Sequence, residues 1–109
     1  MRISTTLALC FCIGLAASAQ AQDKVAAGQK VFTDQKCSLC HSVGDKGNKK
    51  GPLEDVASKL SEADLRAWIT DAKGMTAKAK ATRKPEMKAY TLPKADVDGL
   101  VAYLQTLKK

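Results

Sequence analysis

The chain has 109 residues and a formal net charge of +7, from 18 basic and 11 acidic residues; 45% of it is hydrophobic and only 5% aromatic. That length allows one small domain, and no internal repeat or low-complexity tract is present. So small a domain buries a limited core and often needs a metal, a cofactor or a disulfide as a staple.

The first 21 residues read as a cleavable export signal. Arg2 is a short positive start, Leu7 to Ala17 an uncharged apolar run, and Ala19-Gln20-Ala21 a small-x-small cleavage site. The apolar run is short for a spanning helix, which needs about 20 apolar residues, so no membrane insertion is expected after cleavage. The expected division is a signal peptide over 1–21 and a single domain over 22–109, working in the periplasm. Cys10 and Cys12 fall in the leader, leaving Cys37 and Cys40 as the cysteines of the mature chain. Cleavage removes one base, Arg2, and no acid, so the charge falls by one to +6. That balance favours acidic partners.

In chain order, Val25, Gly28, Val31, Phe32 and Gln35 share one face at helical spacing and predict a helix over 23–36. The glycine- and lysine-rich run over 42–52 predicts a loop, and Leu53 to Lys59 a short helix or turn. Ser61 with Asp64 three residues later forms a capping box. Leu65, Trp68, Ile69 and Ala72 follow as an apolar stripe, and Gly74 is expected to end that helix. Residues 75–93 lack a period, contain Pro85 and Pro93, and predict a long ordered loop; such a length in so small a domain points to function. Val97, Leu100, Val101, Leu104 and Leu107 mark the last helix. With no β-alternation of useful length, the fold class is all-α with three or more helices.

The chemistry concentrates in "DQKCSLCHSVG", residues 34–44, which holds the single histidine of the chain, His41. Cys-x-x-Cys-His is the attachment motif of c-type haem. Each thiol adds to a haem vinyl group to form a thioether; one helical turn presents both sulfurs, and the next residue aims its imidazole at the iron. Competing readings are weaker. A thioredoxin-like motif needs a βαβ setting, a zinc site needs four ligands, and a disulfide across so short a span staples little chain and leaves His41 without a role.

On these residues the sequence resembles the class I c-type cytochromes, over about residues 24–108. "GQKVFTDQKCSLCH" is similar to the family's first helix and haem motif, and "KKGPL" to its Gly-Pro after the motif. "LRAWI" is similar to its middle helix, "KPEMKAY" to its methionine loop, and "LVAYLQTLKK" to its last helix. The resemblance implies one covalently attached haem c enclosed by helices, with the first and last helices crossed at Gly28 and Tyr103. It implies that the backbone carbonyl of Pro52 accepts the second N–H of His41. Trp68 is implied to meet a haem propionate, its alternative being an ordinary core residue.

His41 is one expected iron ligand. The lack of a second histidine excludes bis-histidine ligation within one chain. The other ligand is then Met87 or Met75. Met87 is preferred because the resemblance places the ligand late in the loop and Pro85 restricts the chain just before it. A lysine ranks below both, since it ligates only when deprotonated.

The leading functional expectation is a soluble monomeric electron carrier, not an enzyme, that cycles Fe(III)/Fe(II) between acidic redox proteins. Its alternative is a haem c subunit fixed in a dehydrogenase or reductase. A sensor or peroxidase needs an open sixth position, which a constrained Met87 opposes. Residues 73–88 carry six basic residues and one acid, Glu86, and are either a solvated loop or a docking collar. Nucleic acid is a poor partner, because the basic run has no interleaved aromatic residues.

Overall fold

The computed structural model describes residues 13–109, with residues 13–17 as backbone only. Arg2, Cys10, Cys12 and most of the expected leader lie outside the described residues. Five helices follow in order: α1 (Ile13–Asp34), α2 (Val56–Lys59), α3 (Glu62–Thr70), α4 (Ala72–Ala79) and α5 (Lys94–Gln105). A 3-10 turn (Cys37–Leu39) and a two-stranded hairpin, β1 (Ser42–Val43) with β2 (Lys46–Gly47), lie between α1 and α2. α1 runs unbroken through Ala21, the expected cleavage position, and so begins earlier than the 23–36 reading.

The framework is the packing of α1 against α5. A side chain on Gly28 would overlap the carbonyl of Gly99, so only a residue without Cβ permits this approach. One helical turn further along each helix, Phe32 meets Tyr103 edge to face, with ring centroids 5.6 Å apart and planes at 68°. Gly28 therefore faces Gly99, and Tyr103 stands at the same crossing, as expected, with its ring against Phe32. The spacing of four on both helices puts glycine and aromatic on the same face of each.

The apolar stripe of α5 packs as its spacing predicts. Val97, Leu100, Val101 and Leu104 join Phe32, Leu65, Ile69 and Tyr103 in one buried cluster. Leu107 lies past the helix end and is half-buried. α3 is held to α5 by charge as well, with Arg66 2.7 Å from Asp98 and Lys94 on the same carboxylate at 2.7 Å. Hydrogen bonds from Lys94 and Arg66 hold the Asp98 carboxyl below the usual carboxylate range. The C-terminus returns to α2, where Leu107 accepts from the Ala57 amide at 3.1 Å and Asp55 from the Lys109 amide at 2.9 Å.

Two expectations need correction. Ser61 does cap α3, its hydroxyl accepting from the Asp64 amide at 3.1 Å. The helix stops at Asp71, however, and Gly74 is not its end. Asp71 leaves helical geometry (φ −142°, ψ 55°) and accepts from the Gly74 amide at 3.3 Å, starting α4. A Cβ on Gly74 would press on that carboxylate, with the Asp71 Cγ 2.9 Å away. Gly74 therefore makes room for a cap. The expected loop over 75–93 accordingly begins at Lys80, after a short helix. α4 buries only Ala72, so no apolar stripe marks it in the sequence.

The two glycines of the crossing should respond unequally to alanine. At Gly28 the added methyl meets backbone, which cannot step aside, and overpacking of that kind costs about 1–3 kcal/mol. At Gly99 the nearest atoms are the Gly28 nitrogen at 3.2 Å and the Lys24 carbonyl oxygen at 3.3 Å. Small shifts relieve that contact, and the gain in helix propensity of about 1 kcal/mol offsets much of the cost. Urea denaturation followed by far-ultraviolet circular dichroism should show a clear loss for Gly28→Ala and a loss of less than half that size for Gly99→Ala. Equal losses would place the closest approach elsewhere.

Candidate functional site

α1 ends in a sharp reversal. Lys36 takes a left-handed conformation (φ 56°), which turns the chain into the 3-10 turn. The amides of Cys40 and His41 both bond the Cys37 carbonyl, at 3.1 and 3.0 Å. A single turn thus gathers Cys37, Cys40 and His41, as their spacing requires. The next chain segment then supports the imidazole. His41 Nδ1 donates to the Gly51 carbonyl at 3.1 Å, which leaves Nε2 with the free lone pair.

The acceptor is Gly51 and not Pro52, the residue expected. Ser42 bridges to this segment, with its amide on the Gly51 carbonyl at 3.1 Å and its carbonyl accepting from the Leu53 amide at 2.9 Å. This register turns the Gly51 oxygen toward both Ser42 and His41, and its two lone pairs serve both. Pro52 lies at the surface. A Cβ on Gly51 would overlap the Cys40 carbonyl and approach His41 Nδ1 to 3.0 Å, so the close approach itself calls for glycine.

These residues open on a cavity of about 600 Å3 between the motif, α2, α3, α5 and the loop after α4. Leu53, Val56 and Leu60 form one wall, Leu65, Trp68 and Ile69 another, and Leu100 and Leu104 a third. Met87 and Tyr90 come from the loop, and the Tyr90 amide bonds the Ile69 carbonyl at 2.8 Å, tying that loop to α3. Met75 is half-buried on α4 and does not line the cavity. A shallower groove of about 350 Å3 along α1, between Ala21 and Gln29, holds no group with chemistry to offer.

Electrostatics favour neutral donors. Burial pulls the His41 pKa down against the opposing Gly51 bond, and the nearby Arg83 guanidinium adds to the fall. Burial pushes the Cys37 thiol up, as does the neighbouring Cys40. Both cysteines are free thiols. Among the described residues no three His, Cys, Asp or Glu side chains converge as a metal site. Two free thiols, a neutral imidazole and a thioether around a large apolar space suit a bulky apolar macrocycle with its own metal far better than a bare ion.

A family model for cytochrome c matches residues 25–108. The chain belongs to the cytochrome c family. Neither the curated proteins nor the solved structures compared with this cytochrome produced a match. The family carries covalent haem c and transfers electrons. The residues here fit that group, with both thiols and the imidazole on one wall of the cavity and a methionine sulfur on the loop. Of the positions singled out in the sequence of this cytochrome, Cys37, Cys40, His41, Trp68 and Met87 meet around one space, while Pro52 and Met75 do not line it. Reading the sequence missed Gly51 as the imidazole's partner and Tyr90 as a cavity residue. The Gly-Pro pair marked the first place to within one residue; the second had no local signal.

Proposed function

We propose that this cytochrome is an exported monohaem electron carrier that shuttles single electrons between acidic redox proteins. The observation that carries the proposal is that Met87 and the Cys37–His41 turn line one apolar cavity. Cys37 and Cys40 would hold haem through two thioethers, and His41 Nε2 and the Met87 sulfur would be the protein donors to its iron. Once bound, the haem iron supplies reversible Fe(III)/Fe(II) chemistry, with methionine ligation favouring the ferrous state relative to a second histidine. The chain orients the imidazole through Gly51, excludes water with the walls of α2, α3 and α5, and keeps His41 neutral. Trp68, half-buried on the cavity wall, would face the haem. An export signal cleaved after Ala21 would send the carrier to the periplasm, where it would work as a monomer.

The basic residues Lys73, Lys78, Lys80, Arg83, Lys84 and Lys88 are all exposed, and Arg83 and Lys88 border the cavity. The one acid of this stretch, Glu86, is taken by Lys84 at 2.8 Å. A cationic rim of this kind steers acidic partners and speeds brief encounters.

Covalent attachment is tested by unfolding the protein and extracting with acidified organic solvent. The haem should stay with the chain, and Cys37→Ala with Cys40→Ala should abolish it and leave the domain largely unfolded. Extraction of the haem from wild type would rule out the thioethers.

Ligation is tested by comparing two variants. Met87→Ala should erase the near-infrared sulfur-to-iron band of the ferric protein and lower the potential, while Met75→Ala keeps both. The opposite pattern would move the ligand role to Met75, and no change in either would exclude methionine.

Steering is tested by reversing Lys73, Lys78 and Lys80 to Glu and following electron transfer with an acidic partner by stopped flow. Association should slow, and in wild type should slow as salt rises, since exposed charges are screened beyond about 8 Å at physiological ionic strength. The visible spectrum and stability should stay near wild type. A rate indifferent to salt and to reversal would sink the steering idea, and co-purification with one partner through high salt would favour a fixed subunit of a larger complex.

A further inference from the structure

Four charged residues with long side chains border the cavity: Lys36, Arg83, Glu86 and Lys88. Three of them have an evident local reason to be there. Lys36 sits at the left-handed reversal that starts the motif. Glu86 is paired with Lys84. Lys88 lies over the Tyr90 ring, 5.2 Å from its centroid, where the π face attracts a cation.

Arg83 is the exception. Among the described residues no carboxylate forms an ion pair with it. Nor does it simply extend into solvent. Its Nη1 occupies the place a Gly51 side chain would take, so the guanidinium reaches from the loop after α4 across to the wall that supports His41. An unpaired, always-charged fork beside a largely apolar space is suited to a carboxylate brought in by whatever fills that space.

We propose that Arg83 is the counter-ion for one of the two carboxylates of the bound haem, and that Gly51 is small in part to let the guanidinium lie there. This rests on the haem reading above. It separates Arg83 from the other cations of the basic stretch: Lys73, Lys78 and Lys80 act on partners, whereas Arg83 acts on the cofactor. As a positioning residue it biases which edge of the macrocycle faces the Gly51 wall and keeps that carboxylate ionised. The two cations differ in kind, since Lys at this place keeps the charge but loses the planar two-pronged bond.

The test compares Arg83→Gln, Arg83→Lys and Lys78→Gln, each with covalent haem verified by its visible spectrum. The midpoint potential is measured across a pH series. A carboxylate released from an adjacent cation gains a proton more readily, so the pH at which the potential begins to fall should rise by about one unit or more in Arg83→Gln. Arg83→Lys should show a smaller shift and Lys78→Gln none. If Arg83→Gln behaves as Lys78→Gln does, Arg83 is only a surface charge and the proposal is overturned.

A second measurement keeps the proposal testable should Arg83→Gln fail to mature. In ferrous wild-type protein with haem carboxylates labelled in carbon-13, NMR should show one of the two titrating well below the other. Two carboxylates titrating together in the ordinary range would equally overturn it. A wild-type protein without covalent haem would instead overturn the functional proposal, which the spectrum reports separately.

Discussion

The structure depends on how closely α1 and α5 can approach. Gly28 meets Gly99 backbone to backbone, and the Phe32–Tyr103 pair closes the next turn. This crossing does more than join two helices. α1 leads within three residues into Cys37, so the angle at which it leaves the crossing aims the haem motif. α5 sends Leu100 and Leu104 into the same space that the motif faces. A bulkier contact at residue 28 would move the attachment cysteines and one wall of the cavity apart together. Interiors are close-packed and transmit such shifts instead of absorbing them.

Around this framework the cavity is assembled from weak local structure. α2 has four residues, the hairpin strands two each, and the loop after α4 no regular structure until α5. Their positions are secured by a few hydrogen bonds, among them Gly51 to Ser42 and His41, Tyr90 to Ile69, and Ala57 to Leu107. A backbone amide bond contributes only about 1 kcal/mol net, so these segments are individually soft. A large apolar cofactor that touches all of them is well placed to act as the missing core, as expected for a domain this small.

Charge is divided between interior and rim. The groups that face the cavity from the motif are held neutral, with burial lowering the His41 pKa and raising that of Cys37. The cations are kept at the surface, where hydration costs nothing to maintain. Arg66 and Lys94 are the informative contrast. They converge on the half-buried Asp98 and serve the fold by joining α3 to α5. Arg83 pairs with no acid among the described residues and lies against Gly51, where the fold gains nothing obvious from it.

The sequence by itself determined the features set by neighbours along the chain. Cys37, Cys40 and His41 belong to one turn whatever surrounds them, because a turn spans that many residues. The stripes of α3 and α5 and the Ser61 cap were legible for the same reason, since burial repeats at the helical period and a cap reaches three residues ahead. The all-α class and the absence of a second histidine followed from composition and pattern. Tertiary structure alone decided what depends on residues distant in sequence. It chose Gly99 as the partner of Gly28 and the carbonyl of Gly51 over that of Pro52, and it carried Met87, the methionine already favoured in the sequence, to the cavity. It also made α4 from a stretch with no apolar stripe, and laid Arg83 against Gly51 across thirty-two positions of chain. Distances of a few ångströms between remote backbones have no periodicity to betray them, because they arise only when helices pack and loops are pulled across the space between.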